Sequence, residues 1–203
     1  LNPDKTIRYA GHEGTGVVVE VDKSNLVKVG DRVLTNCLSG CGVCEHCRSG
    51  NYVYCENKLP MDQMASHFCQ YTILQDFLCI PLPEDISYDM GTLAGCVLAP
   101  AFQTLQKMQV IPSDLVMVLG CGPVGLGAIT IAKHYGAQLL AVEISGYRKH
   151  PTRQLGAHFV VDGDGRKLEQ RIIALTHGRG PHNVVDASRV GPLQTLRLTH
   201  AAI

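Results

Sequence analysis

The sequence predicts an α/β protein made of two incomplete parts, a β-rich first half and a doubly wound parallel sheet in the second half. One observation is the run GTGVVVEV at residues 14–21, whose β-branched and apolar side chains favour a strand. A second is the segment 36–60, which holds five cysteines and shows no helical or strand periodicity. A third is the order of the second half, where short apolar strands alternate with helical segments, as is typical of a parallel sheet with helices on both faces.

The first half contains few regular elements. Its predicted elements are a strand at 14–21, a turn leading into a strand at 29–33, and a strand at 69–74. Residues 36–60 predict a loop that needs some added constraint, because it has little apolar material of its own. Pro81 and Pro83 mark a boundary. We therefore expect a first domain at 1–97 and a second domain at 98–203.

The second half has a regular alternation of strands and helices. Its predicted strands lie at 115–119, 138–143, 158–161 and 183–186. Its predicted helices lie at 123–135, 147–155, 166–176 and 192–199. Pro123 suits the first turn of its helix, where a missing backbone N–H is harmless. We expect further strands beyond this chain, because a six-stranded doubly wound sheet needs more than four.

Composition excludes two classes of partner. Basic and acidic residues balance at 18 each, so no charge excess favours nucleic acid or an anionic membrane surface. Residues 115–132 lack charge, but the Gly/Pro-rich run at 120–125 breaks a helix, so a strand, a turn and a helix are favoured over a membrane span. The chain begins at Leu1 without a signal peptide and stops at Ile203, and we expect both ends to be incomplete.

The cysteines of the segment 36–60 have the spacing Cys41-x2-Cys44-x2-Cys47-x7-Cys55. An odd total of 9 cysteines without a secretion signal favours metal binding over a disulfide framework. Four thiolates complete a tetrahedral zinc shell and leave no position for substrate, so the pattern predicts a structural zinc site. Free or disulfide-bonded cysteines are the alternative, and Cys37 is a competing ligand.

A glycine-rich run follows the first strand of the second half and opens a helix. It consists of Gly120, Cys121, Gly122, Pro123, Val124 and Gly125. In this context G-x-G-x-x-G predicts a dinucleotide-binding turn, with the pyrophosphate at the N-terminus of the helix. Glu143 ends the next strand and is expected to bind the adenosine ribose and to favour NAD over NADP, although Arg148 and Lys149 weaken that preference. The alternative is a glycine-rich turn that binds no ligand.

Four motifs occur in an order that resembles the zinc-containing medium-chain alcohol dehydrogenases. They are GHEGTG at 11–16, VKVGDRV at 27–33, the cysteine quartet at 41–55 and GCGPVG at 120–125. The likeness covers essentially the whole chain. It implies a partial GroES-like catalytic domain followed by a partial Rossmann domain.

The resemblance also implies a catalytic metal site. His12 and Cys96 match two ligands of the family's catalytic zinc, and Glu13 matches a carboxylate that can approach the metal. The third ligand of the family, a cysteine, falls upstream of Leu1, so we expect the 203-residue chain by itself to be inactive. As an alternative, Cys96 is a small buried core residue.

The implied reaction is the reversible oxidation of an alcohol to an aldehyde or ketone, with hydride transfer to NAD. Primary alcohols, secondary alcohols and polyols all remain open as substrates. We expect a cytoplasmic enzyme that forms a homodimer or homotetramer in its full-length form and binds neither nucleic acid nor membrane. Two other functions compete with this one: an inactive family member that binds zinc and NAD, and a zinc-held interaction module.

Overall fold

The computed structural model describes residues 11–36, 38–58, 67–163 and 167–188. The chain divides into two compact units, Leu1–Cys96 and Val97–Ile203. In the first unit, strand β1 (Thr15–Val17) pairs antiparallel with β2 (Arg32–Thr35), and β2 pairs antiparallel with β3 (Cys79–Pro81).

Strand β1 is shorter than the predicted strand at 14–21. Val18 and Asp31 are still joined by a backbone hydrogen bond of 2.9 Å, and beyond them the chain turns. The strand predicted at 69–74 is wrong, because these residues form no strand and the third strand of the sheet lies at 79–81 instead. Tyr71 and Ile73 are exposed, so their side chains lack the cross-strand packing on which strand preference depends.

Residues 36–60, predicted as a loop, contain a short helix α1 (Glu45–Arg48) and a 3₁₀ turn (Tyr52–Tyr54). A second 3₁₀ turn, Asp76–Leu78, leads into β3. Past β3 lie three elements that the sequence analysis did not predict: helix α2 (Tyr88–Leu93), a π-helical turn (Ala94–Leu98) and helix α3 (Ala99–Lys107). Ser87 begins this stretch, because its side chain accepts a hydrogen bond from the Met90 backbone N–H and so caps α2.

The second unit contains a four-stranded parallel sheet with the order β6-β5-β4-β7. The elements in chain order are β4 (Leu115–Leu119), α4 (Pro123–His134), β5 (Gln138–Glu143), α5 (Gly146–Gln154), β6 (Phe159–Asp162), α6 (Leu168–Leu175) and β7 (Asn183–Asp186). Each lies within two residues of its predicted position, and the predicted parallel sheet is confirmed. The helix predicted at 192–199 lies outside the described residues.

The sheet of the second unit is buried on both faces. One face packs against α3 and α4, and its cluster includes Leu105, Val116, Val118, Ala128, Ile129, Leu139 and Ala141. The opposite face packs against α6, and its cluster includes Met117, Leu119, Leu140, Val142 and Ile172. Successive residues of β4 and β5 alternate between the two clusters, as the two-residue period of a strand requires. Burial of each large aliphatic side chain contributes about 2 kcal/mol.

The uncharged segment 115–132 therefore lies in a strand, a turn and most of a helix. Within the described residues, none of the helices is long and apolar enough to cross a membrane. Because β4 and β5 are parallel, their carboxyl ends lie at the same edge of the sheet, and the turn at 120–125 and Glu143 meet there.

Candidate metal and nucleotide sites

The structure brings three predicted site residues of the first unit together. The ligand atoms of His12, Glu13 and Cys96 all lie within 4.8 Å of one another. His12 Nε2 is 3.2 Å from Cys96 Sγ, although the two residues are 84 positions apart in the chain. His12 and Glu13 are exposed and Cys96 is half-buried, so the three groups face a region that a small molecule can reach.

The segment that carries His12 and Glu13 is held against β2. Thr35 Oγ1 donates a hydrogen bond to the Gly14 carbonyl (3.1 Å), and the Thr35 backbone N–H donates to the same oxygen (2.9 Å). Thr35 is buried, which shields both bonds from water. The backbone immediately before β1 is therefore fixed from two directions.

His67 supports the same segment, and sequence reasoning missed it. Its Nε2 lies 2.9 Å from Thr35 Oγ1, and its ring covers Gly14 so closely that a Cβ there would clash with Cδ2. Phe68 covers Gly11 in the same way, at 2.7 Å from the position of a Cβ. A side chain at either glycine would displace one of these rings, and Gly11 also has a φ of 75°, which L side chains rarely adopt. The sequence offers no local signal for this role, because His67 lies 53 positions after Gly14.

Cys96 lies within the π-helical turn Ala94–Leu98. Such turns hold one more residue than an α-helical turn and are frequent at functional sites, because they change the direction of side chains. Gly95 brings this turn close to β2, since a Cβ on Gly95 would lie 3.1 Å from the Thr35 carbonyl oxygen. This turn places the thiol of Cys96 beside His12. A side chain at position 95 would push the turn away from β2 and so move the thiol away from His12.

The donor atoms at this site suit zinc. An imidazole nitrogen, a thiol sulfur and a carboxylate oxygen are the three ligand types that zinc takes in proteins. A neutral imidazole and a thiolate supply one negative charge, and Glu13 can supply another. The His12, Glu13 and Cys96 side chains therefore fit a divalent cation that still has room for an exogenous ligand.

The cysteine quartet forms a second cluster in the same unit. The sulfurs of Cys41, Cys44, Cys47 and Cys55 lie within 4.8 Å of one another. Backbone N–H groups point at three of these sulfurs: Cys44 N–H donates to Cys41 Sγ (3.4 Å), Cys47 N–H to Cys44 Sγ (3.4 Å) and Cys41 N–H to Cys55 Sγ (3.3 Å). Such bonds stabilise thiolates, the form that binds a metal.

The four thiols are not equivalent in charge. Backbone hydrogen bonds from Val43 and Cys44 lower the pKa of Cys41 to about 6, while burial raises the pKa of Cys47 to about 11. Four adjacent thiolates repel one another, and a bound dication removes that repulsion. The arrangement therefore fits a closed metal shell. Cys37, the competing ligand, lies outside the described residues.

Two side chains that the sequence analysis missed anchor this cysteine lobe, residues 38–58. The Gln75 amide makes two hydrogen bonds with Gly40: its Nε2 donates to the carbonyl (2.7 Å), and its Oε1 accepts from the backbone N–H (3.3 Å). The rings of Phe77 and Tyr52 stack with their centroids 5.5 Å apart. Both anchors precede β3, so the lobe is tied to the sheet of its own unit.

In the second unit, the three glycines of the turn at 120–125 differ in what the geometry of the turn would do to a side chain. Gly120 has a φ of 80°, which L side chains rarely adopt. A Cβ on Gly125 would clash with the Gly120 carbonyl oxygen, so only glycine lets α4 begin so close to β4. A Cβ on Gly122 would meet nothing within 4 Å, so this side of the turn is open. The open side lies at the N-terminus of α4, where free N–H groups attract phosphate.

Glu143 also has a structural role, which its position in the sequence did not indicate. It is buried, with 3% of its surface exposed. Its Oε2 accepts a hydrogen bond from the Cys121 N–H (2.7 Å) and its Oε1 accepts one from the Ser145 N–H (2.7 Å). The carboxylate therefore joins the glycine-rich turn to the loop after β5. Each of its oxygens keeps a second lone pair for a ribose hydroxyl, which would have to reach the carboxylate through its small exposed part.

Comparisons with known proteins give the family. Residues 3–84 match the family described as "Alcohol dehydrogenase GroES-like domain", and residues 123–202 match the one described as "Zinc-binding dehydrogenase". The chain belongs to the zinc-containing medium-chain alcohol dehydrogenases. The predicted family and its GroES-like and Rossmann folds are thus confirmed.

Individual relatives agree with this assignment. The chain is 34% identical over 187 residues to the uncharacterized zinc-type alcohol dehydrogenase-like protein YphC of Escherichia coli K12, covering 87% of this chain and 52% of the relative. It is 30% identical over 187 residues to D-arabitol-phosphate dehydrogenase of Enterococcus avium, covering 90% and 53%. The chain therefore spans about half the length of the curated relatives it matches.

Solved structures show the same likeness. Alcohol dehydrogenase TADH from Thermus sp. ATN1 is 30% identical with a TM-score of 0.78, over 96% of this chain and 58% of that one. A crystal structure of an NAD-dependent alcohol dehydrogenase is 26% identical with a TM-score of 0.83, over 94% and 57%. This medium-chain dehydrogenase chain is therefore part of an oxidoreductase family.

Proposed function

We propose that the protein is a zinc-dependent oxidoreductase that transfers a hydride between an alcohol and NAD, giving an aldehyde or ketone. The observation that carries the proposal is the pairing of His12 Nε2 with Cys96 Sγ at 3.2 Å, with Glu13 beside them. These three residues come from two separate segments, and a core packing role explains neither the exposure of His12 nor the grouping of metal-binding atoms.

His12 and Cys96 would hold the catalytic zinc, and Glu13 lies close enough to stabilise it. When bound, the metal lowers the pKa of an alcohol oxygen and the nicotinamide of NAD takes up the hydride. His12 would bind through Nε2, the atom that faces Cys96 Sγ, which would require a neutral ring with its proton on Nδ1. Cys96 would bind as a thiolate, and its half-buried position would limit competition from water.

The cysteine quartet has a different part in this proposal. Its four sulfurs are enough for a closed tetrahedral shell, so they would hold a zinc that orders the lobe and leaves no position for substrate. The three N–H bonds to sulfur support this assignment, because they already favour the thiolate forms.

The second unit would bind NAD at the turn at 120–125. The open face of Gly122 and the N-terminus of α4 support a pyrophosphate site, and Glu143 supports binding of the ribose. Burial raises the pKa of the Cys121 thiol, so this side chain would add no negative charge to a pyrophosphate site at the turn. NAD is favoured over NADP because the Glu143 carboxylate repels a 2′-phosphate.

The substrate class is suggested by the relatives. Their names include D-arabitol-phosphate dehydrogenase, sorbitol dehydrogenase and L-threonine 3-dehydrogenase. Polyols and other polar alcohols are therefore the first substrates to test, ahead of simple primary alcohols. A cytoplasmic location and a homodimer or homotetramer stay predictions from the family resemblance.

The test uses the full-length protein and compares turnover, zinc content and NAD affinity. Because a metal Lewis acid contributes several kcal/mol, His12→Ala and Cys96→Ala should each lower kcat about a thousandfold or more. Affinity for NAD and the zinc of the cysteine lobe should be retained. The matched controls are His150→Ala and Cys79→Ser, which change an exposed histidine and a half-buried cysteine outside both metal clusters. Near-normal turnover of Cys96→Ala would contradict the proposal, and zinc and NAD binding without turnover in the wild type would favour the inactive alternative.

A further inference from the structure

The nucleotide edge of the parallel sheet carries an ion pair that the proposed function does not use. Lys149, on the first turns of α5, has its Nζ 2.6 Å from Asp162 Oδ2 at the end of β6. Asp162 is the register partner of Glu143 on the neighbouring parallel strand. The two carboxylates and the ammonium group therefore lie at the same end of the sheet, where the adenosine ribose binds in folds of this kind.

The carboxylate of Glu143 is fixed in place. Both of its oxygens accept backbone N–H bonds of 2.7 Å, and the residue is almost fully buried. It cannot turn toward a lysine without leaving the Cys121 and Ser145 amides unsatisfied. Glu143 therefore gives this edge of the sheet a fixed negative charge. A change in how charges are arranged here has to involve the more exposed side chains.

The pair of Lys149 and Asp162 is partly shielded from water. The Lys149 side chain is 17% exposed and that of Asp162 is 45% exposed. A partly buried charge pair is screened less than a surface pair, so the ammonium group is held in place rather than sampling the solvent. Arg148, the neighbouring cation, is exposed and is not a member of this pair, so it is present in every variant of the pair.

A 2′-phosphate of NADP needs a cation near the ribose. We propose that Asp162 is a specificity-determining residue that withholds Lys149 from a 2′-phosphate and so strengthens the preference for NAD. To reach the phosphate, Lys149 must leave Asp162 and expose a second carboxylate to the same dianion. Rejection of NADP then has two sources, the repulsion by Glu143 and the capture of Lys149.

This inference rests on the proposed binding of NAD, and a double-mutant cycle on the full-length protein separates the two. Asp162→Asn keeps the size of the side chain and removes its charge. We expect the affinity for NADP to rise about tenfold, as for one charge contact in a partly screened site, while the affinity for NAD stays nearly constant. Asp162→Glu, which keeps the charge, should behave like the wild type.

Lys149→Gln gives the second arm of the cycle. In the wild-type background it should change NADP affinity little, because Asp162 already holds the lysine. In the Asp162→Asn background it should remove the whole gain. The inference is overturned if Asp162→Asn changes both cofactors equally, if the gain survives in the double variant, or if Lys149→Gln alone weakens NADP as strongly as it does beside Asp162→Asn. If Asp162→Asn fails to fold, as shown by its melting curve, Lys149→Gln in the wild-type background decides alone: an unchanged ratio of NADP to NAD affinity supports the inference, and an about tenfold loss of NADP affinity relative to NAD overturns it.

The proposed preference for NAD over NADP is tested by measuring both affinities on the wild-type protein alone. A wild-type protein that binds NADP more tightly than NAD contradicts that choice, while the cycle still reports whether the pair affects the 2′-phosphate. A wild-type protein that binds neither nucleotide overturns both.

Discussion

The two clusters of metal-binding side chains in the first unit are assembled in different ways. The cysteine quartet lies within residues 41–55, so its geometry follows from a local stretch of chain. His12 and Cys96 are 84 positions apart and meet only because β2 supports both of their segments. The local cluster has two buried members, Cys47 and Cys55, whereas His12 is exposed. A closed local shell suits a structural metal, and an exposed cluster built by the fold suits a catalytic one.

Mutation of the quartet should give the largest effect and tests whether the two clusters are independent. Cys44→Ser removes one of four ligands, and about 10 kcal/mol of metal-binding free energy contributes to the folding of such a lobe. We expect loss of one zinc per chain and fast amide exchange across residues 38–58, with the zinc at His12 and Cys96 retained. Metal analysis together with hydrogen exchange measures this. Cys79→Ser is the matched control, because Cys79 lies outside both clusters. Loss of both metals at once would show that the clusters are coupled.

The glycine-rich turn combines a local motif with a constraint from the fold, and two substitutions separate these contributions. Gly125→Ala forces a Cβ against the Gly120 carbonyl and should lower the free energy of unfolding by about 3 kcal/mol. Gly122→Ala meets no atom within 4 Å at an ordinary φ of −72°, so stability should change by no more than about 1 kcal/mol.

NAD binding should nonetheless fall at least about tenfold in Gly122→Ala, since the added methyl group occupies the approach of the pyrophosphate. Denaturant unfolding and NAD titration of both variants give the two quantities. Normal NAD affinity in Gly122→Ala would place the phosphates away from this turn.

The smallest expected effect comes from removing the Gln75 anchor of the cysteine lobe. It tests whether the geometry of the lobe depends on residues outside residues 38–58. Gln75→Ala removes two hydrogen bonds to Gly40 and should cost about 1–2 kcal/mol. Hydrogen exchange in residues 38–58 should speed up while the zinc content stays at the wild-type value. Gln70→Ala changes an exposed glutamine of the same segment and serves as the control. Unchanged exchange in Gln75→Ala would mean that the metal alone holds the lobe.

The sequence predicted the second unit well and the first unit poorly, for physical reasons. The strands β4 and β5 are buried on both faces, so they appear as continuous apolar runs, and the glycine-rich turn separates β4 from α4. In the first unit, the apolar residues of 69–74 suggested a strand, but they belong to neither sheet of the described residues. Helices α2 and α3 were missed although the sequence holds a signal for each: Ser87 can cap α2, and Ala101 and Leu105, four positions apart, form one buried face of α3.

The candidate sites show the same division. The quartet and the glycine-rich turn could be predicted from spacing, because their geometry is set within a few residues. His12 and Cys96 could be named only through the family resemblance, and no sequence pattern indicated that His67 and Thr35 support them. The contacts of Glu143 with Cys121 and Ser145 depend on the register of two strands, and the pairing of Lys149 with Asp162 depends on a third.

The π-helical turn at Ala94–Leu98 has a consequence for how sequence change acts on this protein. The direction of the Cys96 thiol depends on how many residues the turn contains, since each residue advances the side-chain direction by about 100°. Insertion or deletion there would redirect the thiol even if every amino-acid type were kept. Within residues 94–98, a change in length is therefore expected to be more damaging than a substitution at any position other than Gly95 and Cys96.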